Sequence, residues 1–203
     1  MNQIIQFNRN NFSSNLKEYN LINFKECINK ENLKLNKFSR VYLYFMIYSF
    51  AGWLWEKIFM LIIYGTLEER GFLHIPVCTI YGFVIFLILC LFYKKNYKWI
   101  TIFLGSAFVT CVMEFMTSWE MEKLFHRTWW DYSGWICNFQ GRISLLSSMG
   151  FGAGGILVVN WIHPYLIKVL DKYLALEIGK KLSLILFAIT ILDFIFTALI
   201  RLK

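Results

Sequence analysis

An all-α bundle of helices embedded in a membrane is the fold this sequence predicts, and three observations carry it. The 203 residues are 58% hydrophobic and only 17% charged, against about 45–50% and about 25% in soluble domains. The apolar residues fall in long continuous blocks. The two prolines both lie near block ends, which leaves the blocks free to be unbroken helices. The net charge of +8 comes from Lys and Arg placed between the blocks, where membrane topology and anionic lipid require them. No basic stripe or motif supports a nucleic-acid partner.

Residues 1–40 read as a polar cytoplasmic leader. Its first 38 residues hold ten asparagines and no apolar core of signal-peptide length, so the first membrane helix is expected to serve as an uncleaved insertion signal. A weak amphipathic helix from Leu16 to Leu35 and disorder describe the leader equally well. Residues 41–203 read as one transmembrane domain. Crossing about 30 Å of hydrocarbon takes roughly 20 residues, and the blocks at 41–64, 100–121, 143–162 and 182–200 are long enough. A fifth, 76–93, is shorter but carries no charge. Between the last two spans, 164–181 mixes Leu166, Ile167, Leu170 and Leu174 with Lys168, Asp171, Lys172 and Glu177. That mixture predicts an amphipathic helix lying on the membrane surface. The expectation is five transmembrane helices and one interfacial helix.

Orientation follows from the flanking cations. The leader, 94–98 and 164–181 hold fourteen Lys and Arg, whereas the alternate loops and the C-terminal end hold six. The positive-inside rule then places the N-terminus in the cytoplasm and the C-terminus outside.

Three carboxylates fall inside spans: Glu56, Glu114 and Asp193. Each costs about 2.5–3.5 kcal/mol on insertion scales, so each should face the bundle interior and have a partner. With this orientation all three lie in the outer half of the membrane. At 100° per residue, Ser49, Gly52, Trp53 and Glu56 share one side of the first span. Ser106, Thr110, Glu114, Thr117 and Ser118 make a polar stripe on the third, with Glu122 beyond its outer end. Such a stripe serves equally to pair helices without handling any ligand.

The outer loops are rich in polar and aromatic residues. The first holds Glu68, Glu69, Arg70, Gly71 and Phe72; the second holds His126, Arg127, Trp129, Trp130, Asp131, Tyr132, Asn138, Gly141 and Arg142. Trp and Tyr at a helix end often form only an interfacial belt. Their interleaving with Asp, Asn and Arg also fits a loop folded over a polar cavity, with Asp131 and Arg142 as a charge-assisted pair holding it shut. Glu56 and Glu114 are expected near each other and near Arg70 or Arg142, since two ionised acids in a low dielectric need a cation.

Two motifs are decoys. Gly150, Gly152 and Gly155 spell GxGxxG inside an apolar helix with no preceding strand, so the dinucleotide reading fails. Small-residue packing through Gly150 and Gly154, beside Ser144, Ser148 and Gly155, fits better. The chain has no GxxxxGK[ST] and is not an ATPase of that type. The five cysteines make no CxxC pair and the three histidines are widely spaced, so neither a metal site, a cofactor nor a disulfide framework is expected.

Taken in order, Tyr48, Ser49, Gly52, Trp53 and Glu56, then Arg70, Gly71, Phe72, Leu73 and Pro76, then Ile80, Tyr81 and Gly82, make a pattern. It continues with Glu114, Glu122, Trp129, Trp130, Asp131, Tyr132, Asn138, Gly141, Arg142, Ile143 and Leu145. This pattern resembles the putative ABC-transporter permease family, the type IV or CmpB-like bacterial membrane proteins. The resemblance spans about 42–164. It departs at Ile75, Thr79, Ser144 and Met149, where Gly, Pro, Cys and Trp are usual. It implies a bacterial cell membrane and a permease subunit served by a separate ATP-hydrolysing partner; whether the chain forms a homo-oligomer stays open.

Three readings of function remain. The first is a permease-like subunit with an outward cavity between the first, third and fifth spans. Its ligand would be held by Glu56, Arg70, Glu114, Glu122, Trp129, Trp130, Asp131, Tyr132, Asn138 and Arg142. The second is a membrane-embedded enzyme acting on a lipid or isoprenoid, its paired carboxylates working as general acid and base; no catalytic residue is assigned. The third is a structural subunit, surrounded by membrane lipid, whose buried acids and arginines only lock the bundle together.

Overall fold

The computed structural model describes residues 37–66, 71–173 and 176–201. Residues 1–36 of the leader, together with Glu68, Glu69 and Arg70, lie outside the described residues, whereas Lys37–Arg40 already belong to the first helix. Helix α1 spans Lys37–Tyr64, α2 Thr79–Phe92 and α3 Trp99–Phe125. A two-stranded hairpin, β1 Asn138–Phe139 and β2 Ile143–Ser144, precedes α4 at Leu145–Leu157. A π-helical turn, Val158–Ile162, leads into α5, His163–Tyr173, and α6 runs over Leu176–Arg201. The all-α membrane bundle stands: four helices are long and apolar enough to cross a membrane, and α2 is a shorter apolar helix.

At 1.5 Å per residue, the 14 residues of α2 rise about 21 Å, short of the hydrocarbon thickness. The expected span from 76 starts late because 72–78 is not helical. There the backbone is drawn onto α1 instead, the Cys78 N–H donating to the Ser49 carbonyl at 2.9 Å.

The surface helix expected over 164–181 divides otherwise. Residues His163–Tyr173 continue the fourth span, whose apolar helix runs to Leu170, and Leu176 onward belongs to α6. A proline inside a helix lacks the N–H that would reach the carbonyl four residues back. The wide turn at Val158–Ile162 lies just before Pro164, and the His163 N–H bonds the Val158 carbonyl across it. Such turns let a helix absorb a local mismatch without stopping.

Burial is inverted relative to a soluble protein. Phe108 is 70% exposed, while Ser106 on the same helix is wholly buried. The faces of α1 to α4 meet through small residues. A methyl on Gly52 would overlap the Tyr81 ring, and one on Gly155 would overlap the Ser106 side chain. The expected pair of close-approach glycines is therefore corrected: among the described residues nothing lies within 4 Å of a methyl placed on Gly150 or Gly154. Ser148, Gly152 and Gly155, four and three residues apart, form the face buried in the bundle. At the end of the bundle where α2 stops, Tyr48 and the His163 Nδ1 are hydrogen-bonded at 2.7 Å, with the Tyr93 ring against the imidazole.

Candidate functional site

The expected polar stripe on α3 is realised. Ser106, Thr110, Glu114 and Ser118 are its buried polar residues, at successive four-residue steps. Glu114 is 6% exposed and points into a cavity of about 140 Å³. Glu56 of α1 enters from the facing side. Thr79, Ile80, Tyr81 and Val84 of α2, Thr110 and Thr117 of α3 and Phe151 of α4 complete the helical walls. Gly71 and Phe72 of the first loop, with Trp129, Trp130 and Tyr132 of the second, line its outer part.

The second loop is a folded unit. Phe139 pairs with Ile143 across the hairpin, and the Arg142 N–H closes the turn on the Phe139 carbonyl at 3.0 Å. Gln140 and Gly141, the central residues of that turn, both have positive φ, 54° and 67°, which matches the twist of the strands, and Arg142 completes a three-residue connection. Asn138 fastens it: its amide donates to the Ser133 and Trp135 carbonyls, and its oxygen accepts from the Gly141 N–H. The Trp130 indole donates to the Arg142 carbonyl at 2.9 Å. Ser144 then caps α4, accepting from the Ser147 N–H in a capping box.

Each carboxylate receives a phenol from another element. Tyr81 donates to Glu56 at 2.5 Å, and Tyr132 of the cap donates to Glu114 at 3.2 Å. Burial, reinforced by the charges of Glu114 and Glu56, raises the Tyr132 phenol above its ordinary value, so it stays a donor. The second Glu114 oxygen, Oε2, is buried with no hydrogen-bond partner among the described residues. None of the described residues lining the cavity carries a positive charge.

The expected pair between Asp131 and Arg142 is not formed. The Asp131 carboxylate accepts from the N–H and the hydroxyl of Ser133, at 2.8 and 2.5 Å, and these bonds hold it below the usual carboxylate range. A side chain two residues from a willing N–H closes its local turn before it reaches across the loop. Arg142 turns inward instead, donating from Nη1 to Ser118 at 2.9 Å and pairing through Nη2 with Glu122. The structure thus brings Glu56, Glu114, Trp129, Trp130 and Tyr132 to one cavity. It places Glu122 and Arg142 together under the hairpin, and leaves Asp131 and Asn138 to internal bonds of the cap.

Asp193 is also elsewhere. The cavity lies among α1, α2, α3, α4 and the two loops, not against the last helix as expected. Asp193 on α6 instead clasps the first loop. Its Oδ2 accepts from the N–H groups of His74 and Ile75 at 2.9 and 3.0 Å, and its Oδ1 meets the His74 ring at 3.0 Å. Sequence reasoning did not single out Tyr81, His74 or Ser133 as partners of these acids. The signal for Tyr81 was Gly52 on the Glu56 face, which leaves room for an aromatic ring; for His74 the sequence carries none.

A family model described as Putative ABC-transporter type IV matches residues 43–198, which extends the resemblance seen over 42–164 through α6. No curated protein matches the chain, and no solved structure does.

Proposed function

Because the chain belongs to the family described as Putative ABC-transporter type IV, we propose that it is the membrane-spanning subunit of a transporter, with the capped cavity as its solute site. The cavity carries this reading: buried carboxylates cost several kcal/mol, and positions that sustain such a cost usually mark a substrate or ion path. A packing role alone would leave the acids fully paired, whereas Glu114 Oε2 has no donor among the described residues. The family description, that of an ABC transporter, supports a separate ATP-hydrolysing subunit as the energy source. The fourteen-to-six distribution of cations supports a cytoplasmic N-terminus and a cavity in the outer half of the membrane.

Extraction of the tagged full-length chain from its host membranes in mild detergent tests the assignment. A stoichiometric partner bearing a GxxxxGK[ST] loop, with ATP hydrolysis by the purified complex, is the expected result. A chain that purifies without such a partner and without ATP hydrolysis refutes the transporter-subunit reading.

A further inference from the structure

The polar atoms of the cavity are unevenly satisfied, and the imbalance has a chemical sign. Glu56 and Glu114 each hold one phenol. Glu114 Oε2, on a side chain more than nine-tenths buried, has none among the described residues. A buried acceptor left without a donor costs about 1–3 kcal/mol, more when it is charged. What the site lacks is therefore a hydrogen-bond donor, and beside two carboxylates a cationic donor is favoured over a neutral one. The remaining wall is aromatic: Trp129, Trp130, Phe72 and Phe151 face the same space. Ring faces attract a cation electrostatically and also cover an apolar tail. A void of about 140 Å³ resembles the engineered cavity of about 150 Å³ that accommodates benzene.

We propose that the cavity binds a small primary alkylammonium, its nitrogen donating to Glu114 Oε2 and its short apolar chain lying against the indoles. This rests on the cavity being the solute site and adds the ligand class. A quaternary ammonium has the charge but no N–H, so it leaves Oε2 unsatisfied. An alcohol of the same length supplies a donor without the charge. A bare alkali cation gains nothing from the apolar part of the wall.

The test uses the full chain in detergent with four probes: propylammonium, tetramethylammonium, 1-propanol and sodium. Trp129 and Trp130 report binding by fluorescence, and Cys78, which lines the cavity, reports occupancy by protection from a thiol reagent, read by peptide mass spectrometry. Saturable binding of propylammonium, at least tenfold tighter than the other three, is expected. So is protection of Cys78, with both effects lost in Glu114→Gln. Gly150→Ala, on α4 away from the cavity and with open space for the added methyl, should retain binding. Propylammonium no tighter than 1-propanol or sodium, or binding unchanged in Glu114→Gln, overturns the ligand class while leaving a solute cavity in place. If no probe protects Cys78 or alters the fluorescence, the cavity is not a solute site and both readings fall.

Discussion

Replacing Arg142 by Gln should unfasten the cap without disturbing the helices beneath it. The guanidinium makes two contacts that Gln cannot reproduce together, one to the buried Ser118 hydroxyl and one to Glu122. A hydrogen bond from a charged donor is worth about 1.5–3 kcal/mol. The Glu122 contact is discounted to at most about 1 kcal/mol, because that side chain is 45% exposed and water screens the pair. Gln recovers part of the first bond, which leaves a net loss of about 2 kcal/mol. At 1.4 kcal/mol per decade this is roughly a 30-fold rise in the open population. Amide hydrogen exchange reads it directly, since the N–H groups of Tyr132 and Trp135 bond the Gly141 and Tyr132 carbonyls within the cap. Their exchange should accelerate roughly 30-fold, while amides in the middle of α3 keep the wild-type rate. Acceleration of less than about threefold, or an equal rise throughout α3, would show that Arg142 does not hold the cap locally.

Asp131→Asn should loosen the cap slightly, because its Oδ1 still accepts both Ser133 bonds but without the charge that strengthens them, whereas Asp131→Ala should increase proteolysis within 131–141. Since the folded Asp131 carboxyl lies below its usual range, its contribution is complete above the unfolded value near about pH 4 and is lost as pH falls through the lower folded value. Cap protection factors should thus be flat between about pH 5 and 8. Gly155→Ala should lower stability by about 1–3 kcal/mol through overlap with Ser106, while Gly150→Ala should be neutral or slightly stabilising; detergent unfolding midpoints separate the two. A C-terminal tag should be reachable from outside intact cells and a leader tag should not, and the reverse pattern would place the cavity in the inner half.

The parts of this fold that were legible are those set by one dimension of the chain. Apolar runs give span positions, and 100° periodicity correctly selected Ser106, Thr110, Glu114 and Ser118 as an inward face. What a single helix does not encode is which neighbour its inward face meets. Asp193 shares its depth with Glu56 and Glu114, so it looked like a third member of their site, yet it points at His74. The same limit explains the glycines: 150/154 and 148/152/155 are both helical repeats of small residues, and only the partner helix decides which is used. Asp131 shows a different failure. Its charge suggested a distant arginine, but the Ser133 N–H was nearer, and local closure costs less entropy than a long one.

The clasp between Asp193 and the first loop makes α6 an outrigger of the cavity. This helix packs chiefly on α1, through contacts such as the bond between the Tyr42 and Thr190 hydroxyls, and most of its surface faces outward. The loop it grips reaches the cavity wall through Phe72, whose ring also touches Phe194 and lies under the Arg201 guanidinium. A slide of α6 along its own axis must therefore either break the Asp193 clasp or drag Phe72 with it. Bilayer thickness, or a neighbour seated against the outer face of α6, would act on that same lever and alter the cavity mouth without touching a residue inside it.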